Sequence, residues 1–503
     1  MKHPSTMRAP APRSPYRVSL RKPLDPRTLG PLAPLLCAPL LVALSCNVGP
    51  DYVRPVVASP QSFRAPRAPA SNDGHASAVA SAPAQGPALA EQHWAAVFTD
   101  PGLRGLIGVA LRENYDLKLA ANRVLQAEAE LDFTRMANWP VVSATASAGA
   151  QRLRFGGRGE PVTGGLFQLG ANVNWELDFW GKFRRASEAA RAELLASEWG
   201  RRAVMTSLVS QVATVYFELR AIDQQLDIAR RTLASRRESL RLTQVREAGG
   251  AGSLVDVRQA EQLVFGADAQ IVNLTRLVEQ QENALSILLG RDPGPIERGL
   301  DLSSQPRVTE IPTGLPSALL ERRPDIQVAE QQLVAANAHI GVAKSAYFPQ
   351  ISLTASGGVA SAALGALFSA PALVWSAAAS LVQPIFPSPR LDAELEITEL
   401  SRDAAVIGYR QTIQQAFREV SDALIGYQRG REYRAIQQSL LESAREARRL
   451  ADLRYQGGAT SYLEVLDSDT RLFTAELGVV QAELSELSAF VEIYRALGGG
   501  WQT

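Results

Sequence analysis

Between Leu208 and Leu233 the apolar residues fall at Leu208, Val212, Val215, Leu219, Ile222, Leu226, Ala229 and Leu233, spaced four, three, four, three throughout. A 3.5-residue repeat is the seam of a left-handed coiled coil. It predicts one long helix from about Phe183 to Ala248. The same spacing recurs at Val257, Ala260, Val264, Ala267, Ile271, Leu274 and Val278, and again at Phe473, Leu477, Val480, Leu484, Leu487, Val491 and Tyr494. Each of these runs predicts a helix that returns along a longer one. Gly249-Gly250-Ala251-Gly252 and Gly457-Gly458-Ala459 mark the reversals, because glycine tolerates the positive φ that a tight turn needs. A further helix is predicted from Leu103 to Met136, ended by Pro140. At 1.5 Å per residue the long helix spans about 100 Å and the helices over 103–136 and 254–289 roughly 50 Å each. Two short helices laid end to end therefore match one long one.

A different period appears between them. Phe167, Leu169, Ala171, Val173, Trp175, Leu177 and Phe179 alternate with Gln168, Asn172, Asn174, Glu176 and Asp178. Period two predicts a strand with one apolar and one wet face. Val141 to Ala150 alternates small and polar residues and predicts its partner, with Gly156, Gly157, Gly159, Gly164 and Gly165 in the connecting loop. Strands of this length suit a tilted crossing of a bilayer.

The pattern occurs twice. Asp116 and Asp325, Pro140 and Pro349, Ala146 and Ala355, and Gly149 and Gly358 are all 209 positions apart. Arg246 and Arg454, Gly249 and Gly457, Val257 and Val465, and Gly290 and Gly498 are 208 apart. One net deletion over so long a register indicates tandem duplication. The fold class expected is mainly α with a transmembrane β-barrel portion: long α-helical coiled-coil hairpins in two copies, plus four β-strands per chain. Four strands cannot close a barrel, which takes about eight, and open sheet edges in lipid leave backbone groups unpaired. The chain must therefore oligomerise. Two, three or four copies would give 8, 12 or 16 strands, and these arguments alone do not choose.

Upstream, Arg17, Arg21, Lys22 and Arg27 precede an apolar run over 35–44 and then Ser45-Cys46. This order reads as an export signal, and a cysteine at the cleavage point suggests a lipoprotein signal that leaves an acylated Cys46. The alternative is an ordinary signal peptide with an incidental cysteine. Residues 1–45 are read as signal peptide, 46–92 as lipid anchor and Ala/Pro/Ser-rich linker, 93–299 as the first repeat and 300–503 as the second. Net charge is +1, so there is no basic face for nucleic acid. The only cysteines are Cys37 and Cys46, so the mature chain has no disulfide framework. Neither His93 nor His339 has a ligand-type neighbour at metal spacing. No phosphate loop, nucleophile elbow or metal cluster is present. No enzyme activity and no cofactor are expected, apart from covalent lipid on Cys46.

Gly49-Pro50-Asp51-Tyr52, Trp175-Glu176-Leu177-Asp178-Phe179-Trp180-Gly181, Leu320-Glu321-Arg322-Arg323-Pro324-Asp325-Ile326, Tyr347-Phe348-Pro349-Gln350-Ile351-Ser352-Leu353 and Ala496-Leu497-Gly498-Gly499-Gly500-Trp501 span nearly the whole mature chain. Together they resemble the TolC-like outer-membrane efflux proteins, and especially their lipoprotein branch. The resemblance implies a homotrimer with a 12-stranded barrel in outer-membrane lipid, standing on a periplasmic helical tunnel. It also implies a periplasmic adaptor and an inner-membrane pump, of the RND type, as partners for exporting small solutes or drugs. A conduit for ABC-driven protein secretion shares that fold, and a pore-less periplasmic coiled-coil scaffold is the reading from another class. The resemblance places a periplasmic aperture at Tyr455, Ser461, Leu463 and Asp467, and adaptor-docking turns at Gly249, Gly250, Gly252, Gly457 and Gly458. Relatives carry an arginine three residues after the aspartate, where this chain has Thr470 followed by Arg471. Arg471 lies about 100° around the helix from that position, so it is expected to pair elsewhere. Trp175, Phe179 and Trp180 suit an aromatic belt at the membrane interface or packing at the strand-to-helix joint.

Overall fold

A computed structural model describes residues 47–58, 60, 62–64, 89–153, 162–307, 311–314, 316–386 and 389–501. The signal segment, Cys46, most of the linker and the tip of the first strand hairpin lie outside the described residues. The first repeat is built from α1 (Pro101–Glu113), α2 (Tyr115–Met136), β1 (Val141–Leu153), β2 (Val162–Leu177), α3 (Lys182–Ala248) and α4 (Leu254–Leu288). The second follows the same order: α5 (Pro316–Arg322), α6 (Pro324–Ser345), β3 (Gln350–Ser361), β4 (Leu373–Val382), α7 (Pro389–Gln456) and α8 (Tyr462–Ala496).

The heptad seams are buried as their spacing requires. Leu226 and Ala229 of α3 pack against Leu274 of α4, and Leu233 against Val264 and Ala267. Nearer the strands α3 changes partner, and Ala189 and Ala192 meet Ala335 and Ala338 of α6. A long helix thus contacts two shorter ones in succession. In α8, Val480, Leu487, Val491 and Tyr494 join the main core.

The single helix expected over 103–136 is two helices, broken at Asn114. Its N–H closes α1 onto Ala110 O, and its side-chain oxygen caps α2 by accepting from Leu117 N at 3.0 Å. Its Nδ2 donates to Leu288 O at 3.0 Å. The second repeat breaks at the matching residue, Arg323, whose Nη1 donates to Ala496 O at 3.0 Å. Neither break carries a glycine, and Asn114 has no proline beside it, which is why periodicity alone ran through it.

The strands form one antiparallel sheet in the order β1-β2-β3-β4. Register puts Val142 opposite Val173, Ala144 opposite Ala171, Val173 opposite Ala355, Leu353 opposite Ala379 and Gly357 opposite Trp375. Since facing residues share a side, one face collects Phe167, Leu169, Val173, Trp175, Ile351, Leu353, Leu373 and Leu381. The other collects Ser143, Thr145, Ser147, Gln168, Asn172, Asn174, Ser352, Thr354, Ser356, Ser376 and Ser380. These hydroxyls and amides bond across strands, with Asn172 Nδ2 donating to Thr145 Oγ1 at 3.1 Å and Ser356 and Ser376 hydroxyls 2.8 Å apart. From Phe167 to Leu177 the apolar face runs about 33 Å along the strand at ~3.3 Å per residue. Tilted by ~40°, that is an apolar band ~25 Å tall. The strand ends at Leu177, so Phe179 lies in the joint, its N–H donating to Leu177 O at 3.0 Å. Because four strands alternate in direction, the outer edges on β1 and β4 are antiparallel to each other, and a second copy can extend the ladder.

Ala171→Arg, on the apolar face, is expected to destabilise the inserted sheet by about 2–4 kcal/mol per protomer. Asn172→Arg, on the opposite face, is expected to be tolerated. The yield of SDS-resistant oligomer in membranes distinguishes the two.

Candidate functional site

The end of the molecule opposite the strands is made by the two helix reversals. At the first, Gly250 N–H donates to Glu247 O at 2.9 Å and Ala251 N–H to Arg246 O at 2.8 Å, with Gly250 at φ +71°. At the second, Gly458 N–H donates to Tyr455 O at 3.1 Å and Ala459 N–H to Arg454 O at 2.8 Å, with Gly458 also at φ +71°. Both are Schellman closures, which satisfy the last carbonyls of a helix with a residue in the left-handed region. Gly249, Gly250, Gly457 and Gly458 are exposed, and Gly252 is half-buried.

Ion pairs repeat between the hairpins too. Arg237–Asp268 (3.1 Å) has its counterpart in Arg445–Glu476 (3.8 Å), and Glu238–Arg241 (2.7 Å) in Glu446–Arg449 (2.6 Å). Against this background the departures stand out. Ser253 and Asp256 form a reciprocal capping box at the start of α4, whereas Ser461 makes no side-chain cap at the start of α8. Glu464 there bonds the Thr460 hydroxyl and faces Arg454 at 3.6 Å.

The expected aperture residues separate into two groups. Leu463 and Asp467 lie one turn apart on a face of α8 turned away from the rest of the chain, and Leu463 is 60% exposed. Arg471 does not pair elsewhere: it reaches back one turn, and its Nε donates to Asp467 Oδ2 at 2.6 Å. That bond holds the Arg471 guanidinium above its ordinary range. Tyr455 instead packs inward, 5.3 Å from the Tyr462 ring and under the Arg246 guanidinium at 4.5 Å. Ser461 sits exposed in the turn.

One turn further from the tip is an ionic cluster that the sequence reading missed. Asp469 of α8, its side chain 12% exposed, accepts from Arg236 Nε of α3 at 2.8 Å and faces Arg448 Nε of α7 at 3.5 Å. Arg236 also donates to Leu263 O of α4 at 3.1 Å and lies over the Phe473 ring. Arg448 further pairs with Asp452. Burial works against the Arg448 charge, but the bonds to Asp452 and Asp469 outweigh it and raise its pKa. Burial pushes the Tyr462 phenol up, and that hydroxyl is hydrogen-bonded to Thr243 of α3. One carboxylate thereby ties together all four helices of the tip. The signal for it lay in the repeat: at the 208-residue offset, Arg236 corresponds to Ala444, Arg448 to Leu240, Asp469 to Glu261 and Tyr462 to Leu254.

At the opposite end Trp180 stacks on Phe348 with ring centroids 4.8 Å apart, and its Nε1 donates to Pro349 O at 2.7 Å. Trp175 Nε1 donates to Asn138 O at 3.0 Å. Trp180 therefore packs the joint between strands and helices, while Trp175 stands on the rim of the apolar face.

The family model for outer membrane efflux proteins matches this chain twice, over residues 106–291 and 315–499. The probable efflux pump outer membrane protein TtgC of Pseudomonas putida is 37% identical over 460 residues, covering 91% of this chain and 93% of that one. The cation efflux system protein CusC of Escherichia coli is 34% identical over 476 residues, covering 94% and 100%. Among solved structures, the open state of the Neisseria gonorrhoeae MtrE outer membrane channel superposes with a TM-score of 0.79 at 32% identity, covering 91% of this chain and 99% of that one.

Asp469→Ala would leave the buried Arg236 guanidinium without its carboxylate, Arg448 keeping Asp452, at a cost of about 3 kcal/mol. Asp467→Asn breaks a solvent-screened, exposed pair and is expected to leave stability close to that of the parent. Hydrogen exchange of the amides over 455–470 separates the two: the first variant exchanges faster and the second stays close to the parent.

Proposed function

The chain belongs to the outer membrane efflux protein family, and we propose that three copies build its channel, each adding four strands to a 12-stranded barrel and two helical hairpins to a periplasmic tunnel. The observation that carries this reading is the two-faced sheet whose free edges run antiparallel. Such a sheet satisfies its backbone in lipid only when copies of itself complete the ladder. The chain is the outer-membrane conduit of an efflux system and works with a periplasmic adaptor and an inner-membrane pump. An RND-type pump is the finer assignment we favour.

The inward side of the barrel is the hydroxyl and amide face, on which Glu176 stands at the periplasmic end beside Lys182 at 2.9 Å. A wide pore with this neutral wall passes small solutes and leaves selection to the pump. The relatives named above are described for efflux of different cargoes, which fits a conduit that does not choose. At the helical end, Leu463 from each copy forms an apolar constriction and Asp467 a carboxylate ring. Each Asp467 is paired with Arg471, and removing the carboxylate would leave a ring of guanidinium charge that disfavours cations. The exposed turns at Gly249-Gly250 and Gly457-Gly458, with Gly252, form the adaptor seat. Cys46 carries the lipid, and two residues on, Val48 N–H donates to Trp180 O at 3.1 Å.

Asp467→Asn is expected to lower the cation-over-anion preference of the open channel in planar bilayers, and an unchanged preference would remove Asp467 from the aperture. Gly457→Pro, which deletes the N–H that donates to Leu453 O at 3.0 Å, is expected to weaken adaptor docking more than trimer formation. A photoreactive residue at Ala459 reads the partner by mass spectrometry. Capture of an RND-system adaptor supports the assignment, and capture of an ABC secretion adaptor replaces it with protein export.

A further inference from the structure

We propose that neighbouring copies close the helical tunnel along an apolar seam in which Val255, Phe265 and Val272 of α4 face Leu450, Leu440 and Tyr433 of α7 in the next copy. The inference rests on the three-copy reading above and assigns the surface through which the hairpins, as distinct from the strands, recognise a second chain.

The seam is read from one that the chain already makes with itself. α4 packs on α3, α3 on α8 and α8 on α7, so α4 and α7 are the outer members of a row of four helices. In the middle of the row the two hairpins meet through α8 and α3. Phe473 of α8 packs beside Leu226 and Ala229 of α3, under the Arg236 guanidinium at 5.2 Å, and Val480 is buried. The two helices run antiparallel in a fixed register. Tyr462 meets Thr243 and, seven residues on, Asp469 meets Arg236, seven residues back.

Duplication supplies the same two surfaces a second time. Moved by the 208-residue offset, α8 becomes α4 and α3 becomes α7, and Phe473 and Val480 become Phe265 and Val272. In one chain these two side chains stand 67% and 70% exposed. The register of the inner seam sets Val255 opposite Leu450, Phe265 opposite Leu440, Ala269 opposite Ile436 and Val272 opposite Tyr433, and all eight residues are exposed. Each apolar residue of the α4 stripe thus meets an apolar residue of α7, while Gln262 falls opposite Ser443. Arg258, opposite Ala447, is held on its own helix by Glu261 at 2.7 Å. The match ends at Arg276 and Arg429, two cations that the same register sets face to face. The seam therefore covers α4 from Val255 to Val272, about 25 Å of helix.

The occupant is a second copy because the complement of the α4 stripe stands on this same chain, in register, at the opposite edge of the row. Two different patches that fit each other make a head-to-tail contact, and such contacts close into a ring when the rotation allows. The sheet edges on β1 and β4 ask the same of the same copies. The chemistry differs from that of the inner seam. Asp469 and Arg236 correspond to Glu261 and Ala444, so the carboxylate shared at the inner seam has no counterpart between copies, and apolar burial holds the contact.

Cysteine pairs in the whole chain, in membranes, read the register. Phe265→Cys with Leu440→Cys, and Val272→Cys with Tyr433→Cys, are treated with a short thiol-to-thiol cross-linker. Phe265→Cys with Gln438→Cys is the control, since it turns the second thiol about 160° away around α7. Both seam pairs are expected to give covalent trimer, at least about tenfold more than the control, because the helix face decides which thiols can meet. Phe265→Glu is expected to lose SDS-resistant trimer and Phe265→Glu/Leu440→Arg to regain it, which separates the seam from a folding defect. Equal cross-linking in the control, or capture of a different protein by Phe265→Cys in place of a second copy, would overturn the seam. Failure of both seam pairs while cross-links between β1 and β4 still stop at the trimer would overturn it alone. If the strand cross-links fail as well, the three-copy reading falls and the seam with it.

Discussion

Backbone amides in hydrocarbon have nowhere to go except to other backbone. A sheet of four strands with two open edges therefore cannot rest in a bilayer by itself, and every larger feature of this protein follows from how those edges are closed. The alternation of side chains decides which face meets lipid. The even strand number makes the edges antiparallel. Copies of the same chain are then the simplest material to complete the ladder. The helices inherit that symmetry, since each strand pair feeds directly into a long helix at Lys182 and at Pro389.

Duplication supplies the scaffold, and the two copies depart from each other at particular residues. The two reversals share their closures and their surface ion pairs, so neither feature distinguishes one hairpin from the other. What differs is concentrated near the second reversal. An uncapped Ser461, an exposed Leu463 and the Asp467–Arg471 pair face away from the chain, and the Asp469 cluster holds α8 to α3 and α7 behind them. The first hairpin closes with a reciprocal capping box, whereas the second, without one, is held by a carboxylate shared between helices.

Much of this was legible in the residues. The heptad seams at Leu208–Leu233 and Val257–Val278, the alternation from Phe167 to Leu177 and the glycine reversals each use a period or a residue type with a single physical meaning. The fold followed from them without any contact being known. The breaks at Asn114 and Arg323 were not legible, because each is made by a side chain bonding a carbonyl roughly 170 residues away. The Asp469 cluster was hidden for the same reason, since charges on a helix read as solvated until a partner from another helix is placed. The segment over 47–58 was the least visible, because it has no period. Gly49 and Gly341 acquire meaning only when they are seen to cross.

The central claim is that three chains close one barrel through β1 of one copy and β4 of the next. Single cysteines at Ser143, Thr145 and Ser147, paired in turn with Ser376, Ala378 and Ser380, scan that seam from its water-facing side under mild oxidation. The account predicts covalent species that stop at the trimer for the pairs in register. Ladders that end at two or four chains, or no cross-link from any pair, would contradict it.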